Sequence, residues 1–592
     1  ECHSTNIRKN YDLLGDTFST TWSDIDVGCQ ACHGPGSNHI EWAGSADRNT
    51  KHSYNQTGLT INLSAISSRV QIEGCARCHS LRNGLQEEYT FSKPFMDHYV
   101  PQVLTEPFYY PDGQIRDEVY VYGSFLQSKK YQKGVRCTDC HDPHSADLKS
   151  PGNDLCIECH ASSPEREITG VQQLDYDSPM HHFHKEGSKG AQCVECHMPE
   201  TTYMIVDPRR DHKFQIPRPD LTLKLDIPNP CNRCHKDKTA QWAATQMNVW
   251  YPYAKSRSED NVTETFAAAQ KGNPGVRADL FKIITDDNRP AIIRATALNI
   301  LSRFRGKASI DITALSLNAE DPLVRYEAVK GLSILIPKDA DPEGLEKKYS
   351  LLVPLLKDEI RAVRTEVARA LTEIPREFFS ESVFSTFKIA LDQYIESQET
   401  IADRPEAHLN LGILHENLGQ LESAEVSYKT AIRLANDYTP AYFNLANLYN
   451  SEDRSKDAEH TYGAILEFEP DNGEAHYSLG LLYSETKRLS EAVASLKRAT
   501  ELQPDRARIR YNYALALRHT GRNTEALSEM LLAHKTDTTD PGIVQAVVIF
   551  YMQEKKWLPA RPYAEKLITL APEADGPKQL LRKINAQLAA EN

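Results

Sequence analysis

Twelve cysteines of this 592-residue chain fall into six copies of one spacing, and all of them lie before residue 235. The copies are Cys29-Gln-Ala-Cys32-His33, Cys75-Ala-Arg-Cys78-His79, Cys137-Thr-Asp-Cys140-His141, Cys156-Ile-Glu-Cys159-His160, Cys193-Val-Glu-Cys196-His197 and Cys231-Asn-Arg-Cys234-His235. Two thiols three positions apart reach the two vinyl groups on one edge of a haem, and the adjacent imidazole then falls under the iron. Paired C-x-x-C units also build zinc sites, and an exported chain uses cysteines for disulfides. Neither use requires a histidine immediately after every pair, so the repeated signature reads as covalent haem c. The thirteenth cysteine, Cys2, precedes His3. A cysteine two residues before Glu1 would make this pair the end of a seventh motif, with the chain extending upstream and the count of about seven haems a lower bound.

Low-spin electron-transfer haems take a second axial ligand. Up to residue 240 the histidines outside the motifs are His39, His52, His98, His144, His181, His182, His184 and His212. Eight candidates face seven haems, so bis-histidine ligation is numerically open to all, and an iron with a free position is not excluded. His39 in "CHGPGSNHI" and His144 in "CHDPHS" follow tight turns just beyond a motif histidine. The cluster "MHHFH" offers His181, His182 and His184, of which two could ligate. His98 and His212 lie in polar, proline-flanked stretches. His52 lies in a polar loop and reads equally well as a surface residue. Met96, Met180, Met198 and Met204 are alternative thioether ligands.

About 35 residues per motif is too little chain for a conventional side-chain core, so short helices, turns and loops around packed haems are expected. Haem propionates need cationic partners, for which Arg209, Arg210, Lys213 and Arg218 are candidates, with Lys129, Lys130, Lys133 and Arg136. A solvated charged loop is the alternative for each. The net charge of −14 argues against a general nucleic-acid binder, and no apolar run is long enough for a transmembrane helix.

Several of these stretches resemble one family: "CHSTNIRKNYD", "WSDIDVGCQACHGPGSNHI", "DEVYVYGSFLQSKKYQKGVRCTDCHDPHS", "HHFHKEGSKGAQCVECHMPE" and "TYMIVDPRRDHKFQIPRPDL". They are similar to bacterial multihaem c-type cytochromes with a C-terminal tetratricopeptide region. The resemblance covers most of residues 1–240 and implies an eight-haem protein with one haem before Glu1. It also implies a location in the periplasm or elsewhere in the cell envelope. More distantly, "CVECHMP" and the histidines before it resemble octahaem and pentahaem nitrogen- and sulfur-compound oxidoreductases. No motif here replaces the proximal histidine by lysine, which departs from the pentahaem nitrite reductases.

Beyond His235 the composition turns to Ala/Leu-rich helix formers. "IRATALNIL", "VRYEAVKGL" and "VRTEVARAL" share a pattern at steps of 31 and 39 residues, and resemble HEAT-type repeats. From residue 405 small residues recur every 34 positions, at Gly412, Ala446, Gly480 and Ala514 and at Ala424, Ala458, Ala492, Ala526 and Ala560. This is the tetratricopeptide (TPR) register, with "PKQLLRKINAQLAA" as a closing helix. The expected architecture is therefore mainly α. A haem-packed cytochrome domain at 1–240 is followed by HEAT-like repeats at 241–400 and a TPR solenoid at 401–592.

The function expected is electron transfer through the haems, with the helical repeats docking redox partner proteins or serving as a brace or homo-oligomer arm. The alternative is an oxidoreductase acting on a small nitrogen or sulfur compound at one open iron. Tyr120, Tyr122, Lys129, Lys130 and the 181–184 cluster would then supply protons.

Overall fold

The computed structural model describes residues 2–45, 57–61, 63, 66–91, 93–252 and 261–591. His52 lies outside these described residues. The chain forms two compact units, Glu1–Ala402 and Asp403–Asn592, and it is mostly helical with little strand.

In the first unit each complete motif sits on or at the end of a short helix: Cys29–His33, Ser68–His79, Cys137–Cys140, Asp154–Ile157, Cys193–His197 and Pro230–Cys234. Two- to four-residue strands pair into three antiparallel hairpins, Tyr11–Asp12 with Thr17–Phe18, Arg82–Gly84 with Tyr99–Pro101, and Glu200–Tyr203 with Asp207–Arg210. All but Ser68–His79, which runs for 12 residues, are too short to hold their own shape, since a single turn of helix offsets little of its nucleation cost. Side chain to main chain bonds support them instead.

Side chains do build a core in this unit, and it is shared. Phe95, Val103, Leu104, Tyr109, Val119, Tyr122, Phe125 and Leu126 are buried, as are Ile292, Leu298, Val324, Val329, Val363 and Val367. The segment 95–126 packs against the helices Ala291–Leu301, Pro322–Leu335 and Arg361–Leu371. Leu104 N–H donates to Thr296 Oγ1 at 3.0 Å, Arg361 N–H donates to Asp97 Oδ1 at 2.7 Å, and Arg69 pairs with Asp321 at 3.7 Å. The three helices carry the repeated "IR/VR" pattern for a physical reason. Arg294 reaches the Ile284 carbonyl, Arg325 grips Asp358 with two nitrogens at 2.8 and 3.0 Å, and Arg364 reaches the Asp358 and Glu359 carbonyls. Each arginine thus ties its helix to the chain segment before or after it.

In the second unit first helices begin at Pro405, Thr439, Gly473, Ala507 and Pro541, and second helices at Leu421, Ser455, Leu489, Asn523 and Trp557, every step being 34 residues. The small residues sit where the helices of one repeat touch. A Cβ on Gly412 would meet the Tyr428 ring at 2.3 Å, and one on Gly480 would meet Leu496 at 2.6 Å. Asp575–Glu591 closes the stack by burying Ile584 against Val548, Ala560 and Ala564.

Candidate metal centres

None of the motif cysteines is paired in a disulfide and none is buried: Cys29, Cys32 and Cys234 are exposed and the others half-buried. Their helices abut in chain order. Arg77, inside the second motif, donates to the Ala31 carbonyl of the first at 3.2 Å. Helix Ser68–His79 packs on Cys137–Cys140, and the Thr138 hydroxyl donates to Gln71 Oε1 at 2.9 Å. Arg166 bridges the third and fourth motifs, pairing with Asp139 at 2.7 Å while its N–H donates to the Glu158 carbonyl. Asn153 staples the fourth to the fifth, accepting from Cys193 N–H at 2.9 Å and donating to the Ala191 carbonyl at 3.0 Å. Cys193–His197 then packs on Pro230–Cys234. Cys2 joins this row from the side, its thiol lying 3.6 Å from the Cys78 carbonyl.

Four motif histidines face a histidine from outside the motifs. His33 lies opposite His144 with ring centroids 6.4 Å apart and planes 8° apart. His141 faces His212 at 6.3 Å and 25°, His197 faces His181 at 6.1 Å and 7°, and His235 faces His184 at 6.1 Å and 35°. An imidazole nitrogen holds a first-row metal ion at about 2.0–2.1 Å and lies about 1.1 Å from its ring centroid. Two imidazoles on opposite sides of one ion therefore have centroids about 6.3 Å apart. The donor set fits a haem iron: each pair joins one motif histidine, beside its two attachment thiols, to one further imidazole.

The other ring nitrogens support the same reading. A ligating imidazole binds through one nitrogen while the other, as N–H, donates to an oxygen that fixes its orientation. His197 Nδ1 donates to the Gln215 carbonyl at 2.7 Å, His212 Nδ1 to the Arg210 carbonyl at 2.9 Å, and His184 Nδ1 to the His182 carbonyl. His33 Nδ1 is buried and has no hydrogen-bond partner among the described residues. Burial pushes His212 down to about 4, and lowers His141, His181 and His197 as well. Neutral imidazole is the form that binds metal.

The remaining candidates are placed differently. His98 is fully enclosed. Its Nδ1 contacts Gln86 and the Glu88 carbonyl, its Nε2 contacts Thr90, and its ring lies 4.5 Å from Tyr89, so both nitrogens are engaged by protein. His39 donates from Nδ1 to the Thr57 carbonyl at 2.7 Å and leans on Trp42 at 5.3 Å. His182 accepts from His184 N–H at 3.1 Å. Among the described residues no imidazole faces His3, His79 or His160, and Tyr176 stands edge-on to His160 at 6.0 Å.

The cations fall into two groups. Arg210 is held by Glu195 at 2.8 Å and by the Val194 and Met198 carbonyls, and Arg218 grips Asp220. Arg209 pairs with Asp207 and lies 4.5 Å over the Tyr203 ring. Lys213 reaches the Asp112 main chain, and Arg136 reaches the Ile66 carbonyl. Lys130 lies 4.1 Å over the Phe214 ring and within electrostatic reach of His160, His197 and His212. Residue type alone marks these side chains as cationic; only folding put one ammonium near two motif histidines and the imidazole that faces a third. The Tyr251 hydroxyl also meets His181. Nothing local marks it, because its partner is 70 residues away in the chain.

A family model described as a doubled CXXCH motif matches residues 129–165, which span the motifs of His141 and His160. Tetratricopeptide-repeat models match residues 405–438, 443–505 and 488–541. The chain thus carries a haem c-binding motif pair followed by TPR repeats. No curated protein matches it. Among solved structures it is similar to YrrB, described as a TPR protein with an unusual peptide-binding site, at 21% identity over 32% of this chain and 96% of that one, TM-score 0.27. It is also similar to pilF of Pseudomonas aeruginosa, at 22% identity over 31% and 86%, TM-score 0.28. MamA is similar at 17% identity over 28% and 92%, TM-score 0.27. No helix among the described residues is long and apolar enough to cross a membrane.

Proposed function

We propose that this protein carries electrons along c-type haems held by its six complete motifs and by Cys2-His3, about seven in all. The observation that carries the reading is the set of four opposed imidazole pairs, 6.1–6.4 Å apart, each with one motif member. Bound haem supplies a one-electron iron couple at each motif. The chain's own residues do the rest. The cysteine pairs anchor, and His33, His79, His141, His160, His197 and His235 are the proximal ligands. His144, His212, His181 and His184 close four of the sites to other ligands. Arg77, Arg166 and Asn153 hold successive motifs against each other, which a continuous conductor needs.

The TPR repeats supply a protein-interaction surface, and we assign them, with the helices of 262–399, to docking a redox partner in the cell envelope. The test is maturation of the full-length protein in a host with haem-attachment machinery, followed by haem counting by mass and low-temperature EPR. About seven haems with low-spin bis-histidine signals are expected. A product without covalent haem would overturn the assignment.

A further inference from the structure

Among the paired histidines, His197, His212 and His184 each donate Nδ1–H to a main-chain carbonyl, whereas His181 turns its Nδ1 to a side chain. Its Nδ1 meets the Tyr251 hydroxyl at 2.9 Å, and the same hydroxyl donates to the His181 carbonyl at 2.5 Å. Proton counting sets the direction. The phenol has one hydrogen, used on the carbonyl, so its oxygen accepts the Nδ1–H. His181 Nε2 is thereby left as the nitrogen turned to a metal, and the ring stands 7° from parallel with His197.

Tyr251 directly follows the helix Ala240–Trp250, and the two residues at this end act on the histidine cluster together. Trp250 stacks flat on Phe183, 4.7 Å away with planes 2° apart. Phe183 lies between His181 and His184 in a left-handed conformation, φ 56°, which a side chain of this size adopts only when packing holds it there. Tyr251 also packs edge-on to Phe183, at 5.8 Å.

We propose that Tyr251 is a positioning residue for the axial ligand His181 and sets the reduction potential of the iron held between His181 and His197; this rests on the haem reading above. A hydrogen bond from Nδ1–H raises the electron density and basicity of the imidazole. That favours the oxidised iron and lowers its potential. Removing the acceptor reverses the effect at this centre alone.

The experiment compares the mature full-length wild type with Tyr251→Phe and with a protein carrying 3-fluorotyrosine at position 251, a nearly isosteric but weaker acceptor. Haem number by mass, EPR g-values and potentiometric titration are read on each. In Tyr251→Phe one midpoint moves upward and one low-spin signal shifts, with the others unchanged; the fluorinated protein moves the same midpoint by less. Unchanged midpoints and g-values in both variants would overturn the proposal. So would loss of a haem in Tyr251→Phe with no shift in the fluorinated protein, since Tyr251 would then only pack. A wild type without haem would instead sink the underlying haem assignment.

Discussion

His212 shows how single residues acquire their role. In sequence it is one polar residue in "DPRRDHKF". In the fold it is buried opposite His141, held by the Arg210 carbonyl and kept neutral by burial. Replacing it with glycine should convert one low-spin centre to a high-spin one that binds added cyanide or nitrite. EPR and optical titration would read this, and an unchanged low-spin count would remove His212 from the ligand set. Lys130 is the second residue with a testable electrostatic role. At a separation of about 10 Å and an effective dielectric of about 20, its charge shifts a one-electron couple by about 1–2 kcal/mol, or roughly 40–90 mV. Lys130→Gln should therefore lower at least one midpoint, because a positive charge favours the reduced iron. The motif histidines were legible one by one. Their opposite partners were not, since His33 and His144 are 111 residues apart and no local pattern joins them.

Elements of the solenoid obey rules that repeat with the sequence. Gly419, Asp453, Lys487, Gly521 and Lys555 all have positive φ, at 57–79°, and each follows the first helix of a repeat. The position favours glycine, so Lys487→Gly should stabilise the repeats by up to about 1 kcal/mol and Gly521→Ala should cost about 1–2 kcal/mol. Hydrogen exchange on the full chain would locate both effects; opposite signs would refute the strain argument. A latch also repeats. Tyr449 and Arg454 hold Glu425, and Tyr483 and Arg488 hold Glu459 in the next repeat. Arg454, chiefly, holds the Glu425 carboxyl down to about 2. Because the folded value lies below the ordinary carboxylate range, this contribution is present above about pH 4.5 and is lost as pH falls towards 2. It is small for so exposed a pair, a few tenths to about 1 kcal/mol. Amide protection in Pro405–Glu485 should fall over that range, and Glu425→Gln should flatten the dependence. A third latch would need an acid at position 493, one 34-residue step beyond Glu459 and opposite Arg522, but the residue there is Val493, and Arg522 pairs with Glu525 instead.

At the scale of the molecule, the first unit extends to Ala402 because residues 95–126 bury their apolar side chains against the helices of 291–371. Residues 1–240 expressed alone should therefore expose Phe95, Leu104 and Tyr122, bind a hydrophobic dye and aggregate, whereas 1–402 should melt cooperatively. Equal behaviour of the two would refute a shared core. Thr296→Val, which strands the Leu104 N–H, should cost about 1–3 kcal/mol. The sequence alone determined the six C-x-x-C-H spacings, the helical class and the 34-residue register, because each depends on residues close together in the chain. The tertiary structure alone decided which imidazoles oppose which and where the side-chain core lies. It also decided that Tyr251 reaches His181, because these depend on contacts between segments whose spacing along the chain carries no period.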